Sequence, residues 1–141
     1  MSGILYIVGT PIGNLSDFSP RAIETLSMVD FIAAEDTRVT IKLLNKFNIS
    51  TPMLSYHKYN TIERGDEICR RLLEGENCAV VTDAGMPCIS DPGEMLVKQC
   101  ADMGITVCVV PGPTAFASAV AVSGLDTGRF TFEGFFEPAS T

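Results

Sequence analysis

Five short apolar runs alternate with stretches of helical periodicity, and this alternation limits the possible folds more than any other feature. The runs occupy residues 4–8, 31–34, 53–56, 78–82 and 105–110. Helical spacing follows each run, from residue 20 and over 37–47, 61–73, 93–103 and 114–122. Continuous apolar runs are typical of strands that are covered on both faces. The pattern therefore predicts an α/β fold, with a five-stranded parallel sheet and helices on both faces.

The bulk composition is that of one ordinary globular domain. A chain of 141 residues with 46% hydrophobic and 19% charged residues can bury a proper core and is not expected to be disordered. No apolar run approaches the roughly 18 residues of a membrane span. The first ten residues have neither the basic segment nor the cleavage site of a signal peptide. We therefore expect no membrane partner.

The five cysteines are scattered, with no CxxC pair and no cluster around the single histidine. Most of them stand in apolar patterns, where a thiol behaves as a small hydrophobic group. We therefore expect neither a metal site nor disulfides, and we predict a cytoplasmic protein.

The formal charge of −7 hides a basic middle segment. Residues 36–71 carry seven Lys and Arg against four Asp and Glu, whereas both flanking segments are acidic. Arg38, Lys42 and Lys46 follow at intervals of four along one helix. Phosphate attraction needs a local basic stripe of this kind rather than a basic total.

Every break in the apolar pattern falls directly after a predicted strand. The breaks are GTPIGN (9–14), EDTR (35–38), SYHKYN (55–60), TDAGMPCISDPG (82–93) and PGPTA (111–115). In a parallel sheet these loops share the carboxyl edge, where open α/β sheets bind ligands. Neither a dinucleotide fingerprint nor a P-loop is present. Gly- and Pro-rich loops instead expose backbone groups to a ligand, and a cationic ligand would suit Asp36, Asp83 and Asp91.

These five loops, together with FEGFFEP (132–138), resemble the tetrapyrrole methylase superfamily, in order and at matching spacing from residue 5 to 138. The resemblance implies S-adenosylmethionine as cofactor. Within the family, the chain is most similar to members that methylate a cytidine ribose 2′-oxygen in small-subunit (16S) ribosomal RNA. Such proteins have two domains and are commonly homodimers. Residues 1–135 would be the cofactor-binding N-terminal domain, and 136–141 the start of a linker to a C-terminal domain absent from this chain.

The resemblance also implies which residues contact the cofactor. They are Pro11, Ile12 and Gly13 in the first loop, Gly85, Met86 and Ile89 in the fourth, and Thr114 and Ala115 in the fifth. More distant members carry an aspartate where Met86 stands, so Met86 is expected to contribute main chain only.

The implied reaction transfers a methyl group to a ribose hydroxyl, which is a poor nucleophile without a base. Asp36 and His57 are the candidates, since both lie at the predicted binding edge. Asp36 is equally well explained as a helix N-cap, and His57 as an exposed loop residue. The predicted RNA-binding residues are Arg38, Lys42, Lys46, Lys58 and Arg64, although a lysine stripe is often only a solvated helix face.

Two other functions remain open from the sequence. One keeps the cofactor but methylates a precorrin-like tetrapyrrole, whose enzymes usually carry a GPGD-type first loop instead of GTPIGN. The other is a non-catalytic ligand-binding or assembly module. Whichever function applies, we expect the isolated chain to bind the cofactor weakly or undetectably, because half of the family's cleft is missing.

Overall fold

The computed structural model describes residues 1–138, which form a five-stranded parallel sheet flanked by helices. The strands are β1 (Leu5–Val8), β2 (Phe31–Ala34), β3 (Met53–Ser55), β4 (Cys78–Val81) and β5 (Val107–Val110). The helices are α1 (Pro20–Met28), α2 (Thr37–Lys46), α3 (Thr61–Leu73), α4 (Gly93–Asp102) and α5 (Ala115–Val122), with a short 3-10 turn at Leu15–Asp17. The sheet order is β3-β2-β4-β1-β5. The predicted α/β class is confirmed.

The helix starts follow from local capping. Ser19 caps α1 by accepting a hydrogen bond from the Ala22 N–H at 3.0 Å, and Pro20 occupies the first helical position, where its missing N–H costs nothing. Asp36 caps α2 in the same way through the Arg38 N–H. The N-termini of α1 and α2, at the carboxyl edge of the sheet, are therefore set by capping residues in the loops that follow β1 and β2.

Two hydrophobic cores lie on opposite faces of the sheet, and β2 contributes to both. All four of its residues are buried. Phe31 and Ala33 pack with α3 and α4, whereas Ile32 and Ala34 pack with α1 and α2. Alternate side chains of a strand point to opposite faces, so a strand between two helical layers must be apolar throughout. This explains the continuous apolar runs in the sequence.

The C-terminal part of the described chain differs from the prediction. Because the sequence of helix α5 is apolar on every side, it predicts a buried helix, yet none of its residues is buried. It follows the edge strand β5, and no described element covers its outer side. The aromatic run 130–138 predicts a strand, but it forms none. It turns back instead, so that the ring centroids of Phe132 and of Phe116 on α5 lie 4.5 Å apart.

Two further points concern the ends and lengths of elements. The predicted linker 136–141 lies partly outside the described residues, since 139–141 are not described. The longest helix, α3, has 13 residues, and no helix within residues 1–138 could span a bilayer.

Candidate functional site

A crevice opens at the carboxyl edge between the neighbouring strands β1 and β4. The chain leaves β1 towards α1 on one face of the sheet and leaves β4 towards α4 on the other. The two loops therefore separate as they leave the sheet, which is the arrangement that creates ligand sites in open α/β folds.

The first and fourth loops are joined at the base of this crevice. The Thr10 N–H donates to the Gly85 carbonyl at 3.0 Å, and the Gly85 N–H donates to the Thr10 carbonyl at 3.1 Å. Gly85 has a φ of +84°, a conformation that L side chains rarely adopt. A glycine here lets the two loops pair as a single short antiparallel bridge.

The first and fifth loops touch through two glycines. A Cβ placed on Gly9 would lie 2.6 Å from the Gly112 Cα and 2.8 Å from the Met86 Sδ. A Cβ on Gly112 would lie 2.7 Å from the Gly9 Cα. Only glycine fits at either position, so the floor of the crevice is built from backbone packed on backbone.

Above this floor lies a cleft of about 340 Å³, called here the apolar cleft. Its lining is Ile12, Glu35, Thr82, Ala84, Gly85, Met86, Ile89, Ser90, Asp91, Pro92, Thr114, Ala115, Phe116, Phe132 and Phe135. Six of the eight predicted cofactor residues are among them: Ile12, Gly85, Met86, Ile89, Thr114 and Ala115. The three phenylalanines of the lining, Phe116, Phe132 and Phe135, were not predicted as part of the site. The run of phenylalanines near the C-terminus could have indicated two of them.

Pro11 and Gly13 are not brought to the apolar cleft. They line a separate space of about 320 Å³ between the first loop and α2, called here the loop–helix groove. Lys42 and Lys46 line the same groove. The first loop thus faces two spaces, with Ile12 on one side and its neighbours on the other.

A wider space of about 690 Å³, called here the polar depression, adjoins the apolar cleft. It is lined by Glu35, Asp36, Thr37, Arg38, Ser55, His57, Lys58, Tyr59, Asp83, Ser90, Pro92 and Phe135. The structure therefore brings together both predicted catalytic residues, Asp36 and His57, with two predicted RNA contacts, Arg38 and Lys58. Cleft and depression share Glu35, Ser90, Pro92 and Phe135.

The Asp36 carboxylate accepts three hydrogen bonds from Arg38, in the first turn of α2. It accepts the Arg38 backbone N–H at 2.9 Å, Arg38 Nε at 3.1 Å and Arg38 Nη2 at 3.0 Å. The side-chain hydrogen bonds from Arg38, followed by the backbone hydrogen bond, lower the pKa of Asp36. A carboxylate held in this way is a weak base, and its capping role is realised.

The imidazole of His57 is held by its own loop. Its Nδ1 lies 3.2 Å from the Tyr59 backbone N–H, and its Nε2 lies 3.4 Å from the Asn60 Nδ2. A neutral imidazole has a single acceptor nitrogen. Whichever nitrogen carries the lone pair, a donor of the loop already faces it.

Two further acids lie in the fourth loop. Asp91 Oδ1 accepts hydrogen bonds from the backbone N–H groups of Cys88 at 3.2 Å and Gly93 at 2.7 Å. Gly93 is the first residue of α4. Asp83 lies in the polar depression, where burial, then repulsion from Asp36, raises its pKa. Beneath the loop, the buried Tyr56 donates its hydroxyl to the Pro92 carbonyl at 3.1 Å, and burial raises the pKa of Tyr56 to about 12.

The predicted RNA-binding residues fall into three places. Arg38 and Lys58 line the polar depression, and Lys58 lies 5.0 Å from the Tyr59 ring centroid. Lys42 and Lys46 line the loop–helix groove. Arg64 lies in neither space and pairs with Glu67 at 3.1 Å. Within the described part of the chain, no three His, Cys, Asp or Glu side chains are grouped as metal ligands.

Comparisons with known proteins show the family to which the chain belongs. The sequence profile of the "Tetrapyrrole (Corrin/Porphyrin) Methylases" matches residues 4–139. The chain is 56% identical over 133 residues to "Ribosomal RNA small subunit methyltransferase I" of Synechocystis sp., covering 94% of this chain and 48% of the relative. The protein of that name from Thermotoga maritima is also 56% identical over 133 residues, covering 94% of this chain and 60% of the relative. The chain therefore spans about half the length of these relatives.

The solved structures show the same fold. Uroporphyrin-III-C-methyltransferase from Thermus thermophilus superposes with a TM-score of 0.70 at 19% identity, over 91% of this chain and 57% of that one. Since the profile matches nearly the whole chain, the chain belongs to the tetrapyrrole methylase family, a family of S-adenosylmethionine-dependent methyltransferases.

Proposed function

We propose that residues 1–135 form the cofactor-binding unit of a methyltransferase that acts on a cytidine ribose 2′-hydroxyl in ribosomal RNA of the small subunit, in the cytoplasm. The observation that carries the proposal is the continuity of two unlike spaces. An apolar, aromatic cleft suited to a cofactor opens directly into a polar depression that bears cationic side chains. The names of the two 56% identical relatives support small-subunit ribosomal RNA as the substrate.

The residues of the apolar cleft fit S-adenosylmethionine. Its walls offer apolar and aromatic side chains together with the backbone groups of Gly85 and its neighbours, a combination typical of cofactor sites. Ile12, Gly85, Met86, Ile89, Thr114 and Ala115 would hold the cofactor. Pro11 and Gly13, which line the loop–helix groove, would act indirectly by fixing the conformation of the first loop. When bound, S-adenosylmethionine supplies an electrophilic methyl group on its sulfonium centre.

The cations around the polar depression would bind RNA phosphates. Arg38 is exposed, and its guanidinium is oriented by two hydrogen bonds to Asp36. Lys42 and Lys46 extend the basic surface along α2, while Tyr59 beside Lys58 is exposed and available for stacking on a base. Arg64 lines neither the polar depression nor the loop–helix groove and is paired with Glu67, so it would make the weakest contribution.

Asp36 and His57 stay predictions as catalytic residues, but other roles suit their contacts better. Asp36 would act as a positioning residue for Arg38, because both of its carboxylate oxygens accept hydrogen bonds from that residue. His57 would shape the third loop, because both of its ring nitrogens face donors from that loop.

The exposed apolar surface of α5 supports a homodimer in the full-length protein. Val122 on α5 and Leu125 just beyond it are 85% and 77% exposed, and Val109 on the edge strand β5 is 52% exposed. A surface of this kind is usually covered by a partner. We propose a second copy as that partner, to be tested by light scattering. A strictly monomeric full-length protein would contradict it.

The enzymatic proposal is tested with two proteins. Calorimetry with S-adenosylmethionine on this chain should give weak or undetectable binding. A full-length form, in which the chain is joined to the second half that its relatives possess, should bind the cofactor and methylate small ribosomal subunits. Methyl transfer to a base or a tetrapyrrole would refute the ribose assignment. Failure of the full-length form to bind the cofactor would favour a non-catalytic module.

The RNA surface is tested in the same full-length form. Changing both Lys42 and Lys46 to Glu should weaken binding to the small subunit and reduce the slope of log K against log salt by about 2. Lys98→Glu is the matched control, since Lys98 is exposed on α4 at the other face of the sheet. Equal effects of the control and the double variant would reject this surface.

A further inference from the structure

The boundary between the apolar cleft and the polar depression contains one ionisable side chain. The four residues common to both spaces are Glu35, Ser90, Pro92 and Phe135, and of these only Glu35 carries a titratable group. If the cofactor lies in one space and the acceptor in the other, the reacting atoms meet at this boundary. Among the lining residues, Glu35 is therefore the acid or base that borders both the apolar cleft and the polar depression.

The backbone and side chain of Glu35 are both well positioned. It follows directly after β2, an inner strand whose residues are all buried, so the position of its backbone is set by the sheet. Its Oε2 accepts a hydrogen bond from the Thr82 hydroxyl at 3.1 Å. Thr82 follows β4, the neighbour of β2 in the sheet. Oε1 has no hydrogen-bond partner among residues 1–138.

The other candidate bases at the site are occupied or misplaced. Asp36 is bound to Arg38, and both ring nitrogens of His57 face donors. Asp91 uses its Oδ1 to hold two backbone N–H groups of its own loop, and it lines the apolar cleft but not the polar depression. Asp83 lines the polar depression but not the apolar cleft. Glu35 alone combines a free oxygen with access to both spaces.

We propose that Glu35 is the catalytic base, an inference that rests on the proposed function. Its free Oε1 accepts a hydrogen bond from the acceptor hydroxyl and takes that proton as the oxygen acquires the methyl group. The new O–C bond uses an oxygen lone pair, and the electrons of the broken C–S bond stay on sulfur, which becomes a neutral thioether. The Thr82 hydroxyl keeps the carboxylate oriented towards the depression.

The test uses the full-length form with Glu35→Gln and Glu35→Ala. Gln keeps the size of the side chain and can still accept the Thr82 hydrogen bond, but it cannot take a proton. We expect kcat on small subunits to fall about 10²- to 10⁴-fold for Glu35→Gln. Calorimetric affinity for S-adenosylmethionine and affinity for the subunit should each stay within about threefold, because tight binding does not require the proton transfer. Added formate should partly restore Glu35→Ala.

Controls separate this inference from the proposed function. Glu24→Gln, an exposed carboxylate on α1 remote from all three spaces, should leave kcat unchanged. A wild-type protein that does not methylate the subunit would overturn the proposed function and this inference together. An active wild type with Glu35→Gln within about threefold of its kcat would overturn the role of Glu35 alone. A parallel loss of cofactor affinity without formate rescue would also overturn it, since that pattern indicates a structural role.

Discussion

Replacing Gly9 with alanine tests whether the floor of the apolar cleft depends on contact between two glycine backbones. The added methyl would lie 2.6 Å from the Gly112 Cα and 2.8 Å from the Gly112 N, whereas ordinary contacts are 3.4–4 Å. The first and fifth loops would therefore have to separate by close to an ångström. That movement would also stretch the hydrogen bond from the Gly9 N–H to the Val110 carbonyl, now 3.2 Å.

The cost follows from these contacts. Overpacking a well-packed site costs about 1–3 kcal/mol. The obstructing atoms are backbone atoms of Gly112, two residues after β5, and backbone cannot rotate away as a flexible side chain can. We therefore expect Gly9→Ala to lower the free energy of unfolding by about 2–3 kcal/mol. For a chain of this length, that corresponds to a Tm lower by roughly 6–12 °C.

Urea unfolding is followed by far-ultraviolet circular dichroism, since the chain has no tryptophan to serve as a fluorescence probe. Gly128→Ala is the matched control, because its added methyl meets only the flexible Asp126 carboxylate, at 3.3 Å. The control should stay within about 0.5 kcal/mol of the wild type. If Gly9→Ala is equally mild, the two loops are not in the close contact described, and the reasoning fails.

Two further predictions concern stability, both read from the same urea curves. Leu96→Ala on α4 should cost about 2–5 kcal/mol because Leu96 is fully buried, whereas Met95→Ala beside it, 55% exposed, should cost less than about 1 kcal/mol. The Arg71 side-chain hydrogen bonds lower the pKa of Glu76 from its ordinary value of 4.5. The ion pair therefore contributes stability above pH 4.5, and this contribution is lost as the pH falls through the lowered pKa. The wild type should therefore lose more stability than Glu76→Gln between neutral pH and strongly acidic pH; an identical loss would show that the pair does not contribute.

Much of the fold could be predicted because its signals are local. Apolar runs identify strands that are buried on both faces, and Ser19-Pro20 marks the start of α1 by capping chemistry alone. The placement of all five irregular loops at one edge then follows from parallel connectivity. Helix α5 shows where this reasoning ends: an apolar composition predicts burial, but burial requires a covering partner, and none is present among the described residues.

Within the site, sequence alone identified which loops meet and six of the fifteen residues that line the apolar cleft. It could not separate Ile12 from Pro11 and Gly13, because adjacent residues in a tight loop can face different spaces. It also named Asp36, and not Glu35, as a candidate base. The strand order brings Thr82 to Glu35, whereas the turn into α2 commits Asp36 to Arg38. Local propensity decides elements and caps, but contacts between residues 47 positions apart depend on how the strands are ordered in the sheet, which only the tertiary structure decides.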